Sequence, residues 1–387
     1  MRHFDQLADA AVAALFDKAP QPFHRASDRV LLAHALGATL YVPATKDELG
    51  TSLRRQAAAG AKSMVIDLED AVADGSVEAA VHTTGTTLHW LLEDPPDALL
   101  FIRVRSAGQI AVLTNALGAA MGIVSGFVLP KFSVANGAEL LQAVAEAAAQ
   151  SPSPLYAMPV LETPQVLYRE TRERELIGLR GLLDAHRDMV LSVRIGATDL
   201  CGLFGIRRDR DLSIYDVGVA AELIAHVVNH LGRTDGTGFA ITGPVWEYFA
   251  NHERILRPQL RQTPFEERHA AGLRRSLMSR DLDGLIREAL LDRANGLTGK
   301  SVIHPSHVAP VHALAVVPHE EYLDAMDVLA PGAADGGVRR SGYGNKMNEI
   351  RPHRIWAERT LRRAQVFGVA GQGISHIDIL NALQDAA

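Results

Sequence analysis

Cysteine is almost absent: Cys201 is the one thiol in 387 residues. It cannot close an internal disulfide, and zinc centres built from several cysteines are excluded, so stability must come from the core. Cys201 itself reads as a small apolar filler. Long apolar runs are missing too. No segment approaches the roughly 20 residues that span a bilayer. The opening stretch MRHFDQLADAAVAALFDKAP is broken by Asp5, Asp9 and Asp17, where a signal peptide has an unbroken apolar core. The expectation is a cytoplasmic protein with no membrane partner. Excess positive charge is lacking as well. Lys and Arg number 39 against 45 Asp and Glu, a net −6, so no general attraction to nucleic acid is expected. There is no GxxxxGK[ST], no HExxH and no GxSxG. The glycines of 368–373 have no strand before them and no acidic residue after them, so they are set aside as a dinucleotide site. Solenoid-type repeats and low-complexity tracts are absent.

What is present is ample apolar material, 47% of the residues, with 22% charged. It falls in eight short runs: LYVPA (40–44), SMVIDLE (63–69), LLFIRV (99–104), GFVLP (126–130), LYAMPVLE (155–162), VLSVRIG (190–196), GFAITGP (238–244) and KSVIHP (300–305). Their middles are continuous rather than alternating, as in parallel strands covered on both faces. Amphipathic stretches such as GAELLQAVAEAAAQ and YDVGVAAELIAHVVNHLG lie between them, the second stopping at Gly232. Eight strand–helix alternations predict an α/β fold, a (β/α)8 TIM barrel, rather than an open sheet. Pro159 inside the fifth run is in tension with a barrel, which has no edge strand, and a bulge there would resolve it. The expected organisation is an N-terminal helical segment over 1–37, the barrel over 38–315 and a C-terminal extension over 316–387. In that extension PGAADGGVRRSGYGNK reads as a mobile Gly-rich loop. Ala357, Leu361 and Ala364 then recur at helical spacing.

Charge gathers where the runs end, which in a barrel is the mouth that carries active sites. The second run ends in Asp67, Leu68, Glu69 and Asp70, and the third carries Arg103. The fourth ends in Pro130-Lys131 and the fifth in Glu162. Gly196-Ala197-Thr198-Asp199 follow the sixth, and the eighth ends in His304. Glu162 and Asp199 together would repel unless a cation or proton lies between them. An all-oxygen set favours Mg2+, with Mn2+ the alternative; otherwise they are a loop carboxylate and a helix-capping Asp. Arg103 in an apolar strand needs a carboxylate, from the substrate or from the DLED acids. Lys131 could bind a substrate anion or pair with the same acids. Arg207, Arg208 and Arg210 could meet a phosphate or carboxylate tail but read first as a solvated loop neutralised by Asp209 and Asp211, and His304 as a hydrogen-bonded rim or core histidine.

LYVPATKDELGTSLRRQAAAGAKSMVIDLEDAV, FIRVR, GFVLPK, PVLETP, IGATDL and GLTGKSVIHPSHV, in that order, resemble the citrate lyase β-subunit and HpcH/HpaI aldolase superfamily over roughly 38–315. ITGPVWEYF and YGNKMNEIRPHRIWAE resemble a narrower branch, the TIM-barrel carbon–carbon lyase-like proteins encoded beside tellurium-resistance genes. The resemblance implies a Mg2+-dependent carbon–carbon lyase of retro-aldol or retro-Claisen type. It would act on a small 2-oxo or 2-hydroxy carboxylate or its coenzyme A thioester, through an enolate. It implies Glu162 and Asp199 as metal ligands, and Asp70 with Glu69 orienting water on the ion. Arg103 would bind the substrate, and Lys131 would support the acids. Gly196, Ala197, Thr198, Arg105 and Asn345 are carried as substrate-side residues. Arg105 stands where the family commonly has Asn, and either alters the anion recognised or points outward. The general base and any coenzyme A-binding residues stay unassigned. Asn345, Lys346, Asn348, Glu349 and Arg351 are expected to cover the mouth of their own or a neighbouring barrel, making a homo-oligomer. Two other readings are a non-catalytic metabolite-binding scaffold and a Mg2+-dependent acyl-thioester hydrolase or synthase.

Overall fold

The computed structural model describes residues 1–249, 280–330 and 336–386. All eight apolar runs become parallel strands. They are β1 (Ala38–Pro43), β2 (Ser63–Asp67), β3 (Leu99–Arg103), β4 (Val124–Leu129), β5 (Tyr156–Leu161), β6 (Val193–Ile195), β7 (Ile241–Thr242) and β8 (Lys300–Val302). Neighbours pair in sequence order, and β8 returns to β1. A bridge between Gly243 and Lys300 joins the β7 end to β8, which closes a TIM-type α/β barrel. The continuous runs are explained by burial on both sides: all the residues of β2, β4 and β5 are buried. Gly137–Gln150 shows the matching helix logic, burying Leu140, Leu141, Val144 and Ala147 along one stripe. The helix expected to stop at Gly232 runs Gly218–Leu231, preceded by a capping box between Ser213 and Asp216.

Pro159 sits within β5, opposite Leu129 of β4. On the β6 side the ladder slips. Ala157 stands opposite Val190, yet Val160 stands opposite Arg194, so three steps along β5 face four along β6. The expected irregularity is therefore present, on the side where proline has no N–H to give.

The chain divides into two compact units. Among the described residues, the barrel unit comprises 24–249 and 280–308, and the other comprises 1–23, 309–330 and 336–386. In the second unit Phe16–Lys18 pairs with Val369–Ala370. Ile350–Phe367 buries Ala357 and Ala364 and half-buries Leu361, as the spacing predicts. Part of the expected Gly-rich loop is instead an antiparallel hairpin, Val338–Arg340 with Met347–Glu349. Its glycines take left-handed positions at 336, 337 and 344, so a composition that suggests a loop marks the ends of a hairpin. Residues 331–335 of that loop lie outside the described residues. No helix among the described residues is long and apolar enough to cross a membrane.

Candidate active site

Alternation along the strands decides which side chains enter the mouth. Arg194 of β6 points inward, donating to Ser301 Oγ at 2.6 Å with Met158 Sδ at 3.7 Å. Met158 shares its face of β5 with Val160 and, at the strand end, Glu162. That face carries Glu162 to the mouth, where the Lys131 backbone N–H donates to its Oε1 at 2.8 Å. Lys131 can do this because its backbone is left-handed, φ 49°, an unusual conformation for a residue with a side chain. Gly196 faces Glu162 from β6: a Cβ there would lie 1.8 Å from Glu162 Oε2. Glycine therefore makes the room the carboxylate occupies.

The Lys131 ammonium pairs with Glu69 and lies 3.7 Å from Asp70 and 3.9 Å from Asp199. Arg103 grips Asp67 with Nε and Nη2, both at 2.6 Å, and turns Nη1 to Glu69 at 3.0 Å and Asp70 at 3.1 Å. Thus Asp67, Glu69, Asp70, Glu162 and Asp199 share two cations. The imbalance shows in their acidity. Burial pushes the Glu162 carboxyl up to about 7, with the nearby Asp199 charge adding to it and the Lys131 N–H opposing. Burial likewise raises Asp199, aided by the Asp70 charge, and raises Glu69 against its bond from Lys131. Burial pushes Asp70 up too, but its hydrogen bond with Glu69 and the charges of Arg103 and Lys131 outweigh it and hold Asp70 low.

The sequence-predicted residues gather unevenly. Glu69, Asp70, Arg103, Lys131, Glu162 and Asp199 come together, with Gly196 the N-cap and Ala197 the first residue of the short helix that carries Asp199. Thr198 turns to Glu247, its hydroxyl donating at 2.9 Å. Arg105 clasps the loop after β2, through the carbonyls of Leu68, Glu69 and Val72 and the Asp74 carboxylate. Asn345 belongs to the other unit, where its amide donates to Glu320 at 3.0 Å. Arg103 and Lys131 both take the alternative of pairing with the DLED acids. The solvated-loop reading holds for exposed Arg207 but not for Arg208, which is buried against Glu288 and donates through Nη2 to the Val245 carbonyl at 2.9 Å. Its acid is 80 positions away in the chain, which local charge could not reveal. His304 is hydrogen-bonded to Ser306 at 2.7 Å and stacked on Phe249. Cys201 is buried.

Two residues escaped the sequence reading. Tyr41 of β1 lies between guanidiniums, its ring 5.2 Å from Arg103 and 5.6 Å from Arg194. Arg194 is 1% exposed and makes no ion pair among the described residues. The signal was its parity with the inward residues of a barrel strand.

Among the described residues, no three His, Cys, Asp or Glu side chains stand grouped to hold a metal ion; Lys131 fills the space between the acids. The residues nonetheless fit a hard cation. The donors are all oxygen, Glu162 is buried with its carboxyl raised to about 7, and Gly196 makes the room that carboxylate occupies.

The family model for C–C bond lyases of the TIM-barrel fold matches residues 30–369. The chain belongs to that family, and so to a class of carbon–carbon lyases. Its fold is shared with a citrate lyase of Burkholderia xenovorans LB400, 17% identical, over 90% of this chain and 96% of that one, TM-score 0.61. It is also shared with the Mycobacterium tuberculosis protein CitE, described in complex with magnesium, acetoacetate and coenzyme A. That chain is 21% identical, over 88% of this chain and 99% of that one, TM-score 0.54. No curated protein matches the sequence.

Proposed function

We propose that the chain cleaves a carbon–carbon bond in a small 2-oxo or 2-hydroxy carboxylate, or its thioester, at this cluster, using Mg2+ or Mn2+ held by Glu162 and Asp199. The observation that carries the reading is Glu162: buried, faced by a glycine, and pushed up to about 7 among carboxylates that outnumber their cations. A bound cation would supply Lewis-acid stabilisation of the enolate oxygen formed when the bond breaks. The residues of the chain do the rest. The Lys131 N–H fixes Glu162, and Arg103 keeps Asp67, Glu69 and Asp70 together at the mouth. Asp70 is half-exposed and held as the carboxylate, so it is the open acceptor for the hydroxyl proton of the departing half. The magnesium named for CitE, a protein of the same fold, is a cation of the class proposed here, and the acetoacetate named with it is a small oxo carboxylate with its oxo group at carbon 3.

The test is calorimetry with Mg2+ on the Glu162→Gln, Asp199→Asn double variant. Binding should vanish while the circular dichroism spectrum and melting stay intact. In metal-free buffer the double variant should melt no lower than the parent, because a repelling pair has been removed. Unchanged Mg2+ affinity would place the ion elsewhere and overturn the assignment.

A further inference from the structure

On the side of Glu69, Asp70 and Lys131 the cluster opens into a cavity of about 620 Å3 walled by the loops after β2, β3 and β4. Glu162 and Asp199 do not line it. Lys131 lines the cavity and also lies 3.9 Å from Asp199, so a molecule whose carboxylate end is held at those two residues can extend its remainder past Lys131 into this space, the departing half of a cleaved substrate included. That placement rests on the proposed function above.

The charge inventory of the walls decides what that remainder is. The two lining cations are already committed. Arg105 spends its guanidinium on three loop carbonyls and Asp74, and Lys131 sits on Glu69 with Asp70 and Asp199 nearby. Glu139, exposed in the first turn of Gly137–Gln150, has no cationic partner among the described residues. Asp74 keeps its side chain 97% exposed while meeting Arg105 through one oxygen. The Ser106 hydroxyl accepts from the Gln109 N–H. The cavity thus offers free acceptors and negative charge, and no uncommitted cation to meet a phosphate or a second carboxylate. We propose that it receives an ammonium-bearing group, so that the substrate is an amino-substituted oxo or hydroxy acid used as the free acid.

The experiment uses the full-length protein with saturating Mg2+ and three uncleaved probes built on the same five-carbon chain. These are 5-amino-2-hydroxypentanoate, 2-hydroxypentanoate and 2-hydroxyglutarate, titrated by calorimetry. The amino compound should bind roughly fivefold tighter than the neutral one, and the diacid more weakly than both. Glu139→Gln should narrow the first gap, and Glu139→Lys should invert the order of amino compound and diacid. Glu139 is exposed on a helix surface, so both variants should fold. Equal binding of all three, or tightest binding of the diacid, overturns the ammonium assignment and leaves the metal–carboxylate reading standing. Binding of none of them overturns that reading, and the cavity's role with it.

Discussion

The barrel unit contains two ionic clusters of opposite design. At the mouth, five carboxylates share Arg103 and Lys131. Beside β8, Lys300 meets Glu288 at 3.0 Å and Asp292 at 2.7 Å, Arg208 meets Glu288, and the Tyr215 hydroxyl donates to Asp292 at 2.9 Å. The buried part of the second set is balanced, two acids with two bases, and half-buried Glu247 reaches Arg208 from its edge, at 3.7 Å. Trp246 covers Arg208 at 4.9 Å, and the Ile214 N–H also donates to Glu288. A balanced, water-excluded network holds a fold in one arrangement. An acid-rich set reachable from water, with one carboxyl raised to about 7, is fit to accept a cation and a substrate. Similar residue types thus do different work, and the difference is stoichiometry and access.

The comparison breaks most visibly if the balanced network is cut. Arg208→Met leaves Glu288 with Lys300 alone in a dry site, and should destabilise the protein by about 3–5 kcal/mol. Urea unfolding should show this, with Mg2+ affinity unchanged in the folded protein. The neighbouring exposed Arg207→Ala should shift stability by less than about 0.5 kcal/mol.

Next in size is a pH effect confined to the mouth. The Glu162 carboxyl rises from its ordinary 4.5 to about 7 on folding, so between those values the folded state holds the extra proton. In metal-free buffer its contribution is complete below 4.5 and lost as pH rises through 7, up to about 3 kcal/mol. Denaturation from pH 4.5 to 8 should therefore show a fall in the parent that Glu162→Gln makes shallower. A parent whose stability runs parallel to the variant over that range contradicts the raised acidity constant. A smaller effect than either of these belongs to Gly196→Ala. The added methyl must push Glu162 aside, at about 1–3 kcal/mol of stability, and should weaken Mg2+ binding roughly tenfold, near 1.4 kcal/mol.

All eight strands were legible because strands covered on both faces write themselves as unbroken apolar runs. The mouth was legible because a parallel barrel brings every strand end to one rim, so charge at run ends points to a shared place. What escaped depends on distance in the chain or on backbone detail. Arg208 lies in GIRRDRD, which has every local mark of a solvated loop, and only the fold brings Glu288 to it. Tyr41 and Arg194 sit in apolar runs whose inward parity is visible only once register is known. The hairpin 338–349 hid behind its own glycines, and no side-chain pattern announces that Lys131 contributes through its peptide N–H.

Pro159 has a consequence beyond the missing hydrogen bond. Below the slip, β5 and β6 advance together with Ala157 against Val190; had that alignment continued, Glu162 would stand against Ile195. The extra residue on β6 moves every later partner by one, so Glu162 stands against Gly196, the position without a Cβ. The fault in the ladder thereby sets the phase of the rim. Were the ladder to run straight with every residue kept, both carboxylates would remain in the sequence, yet Ile195 would turn its side chain into the space that Glu162 needs.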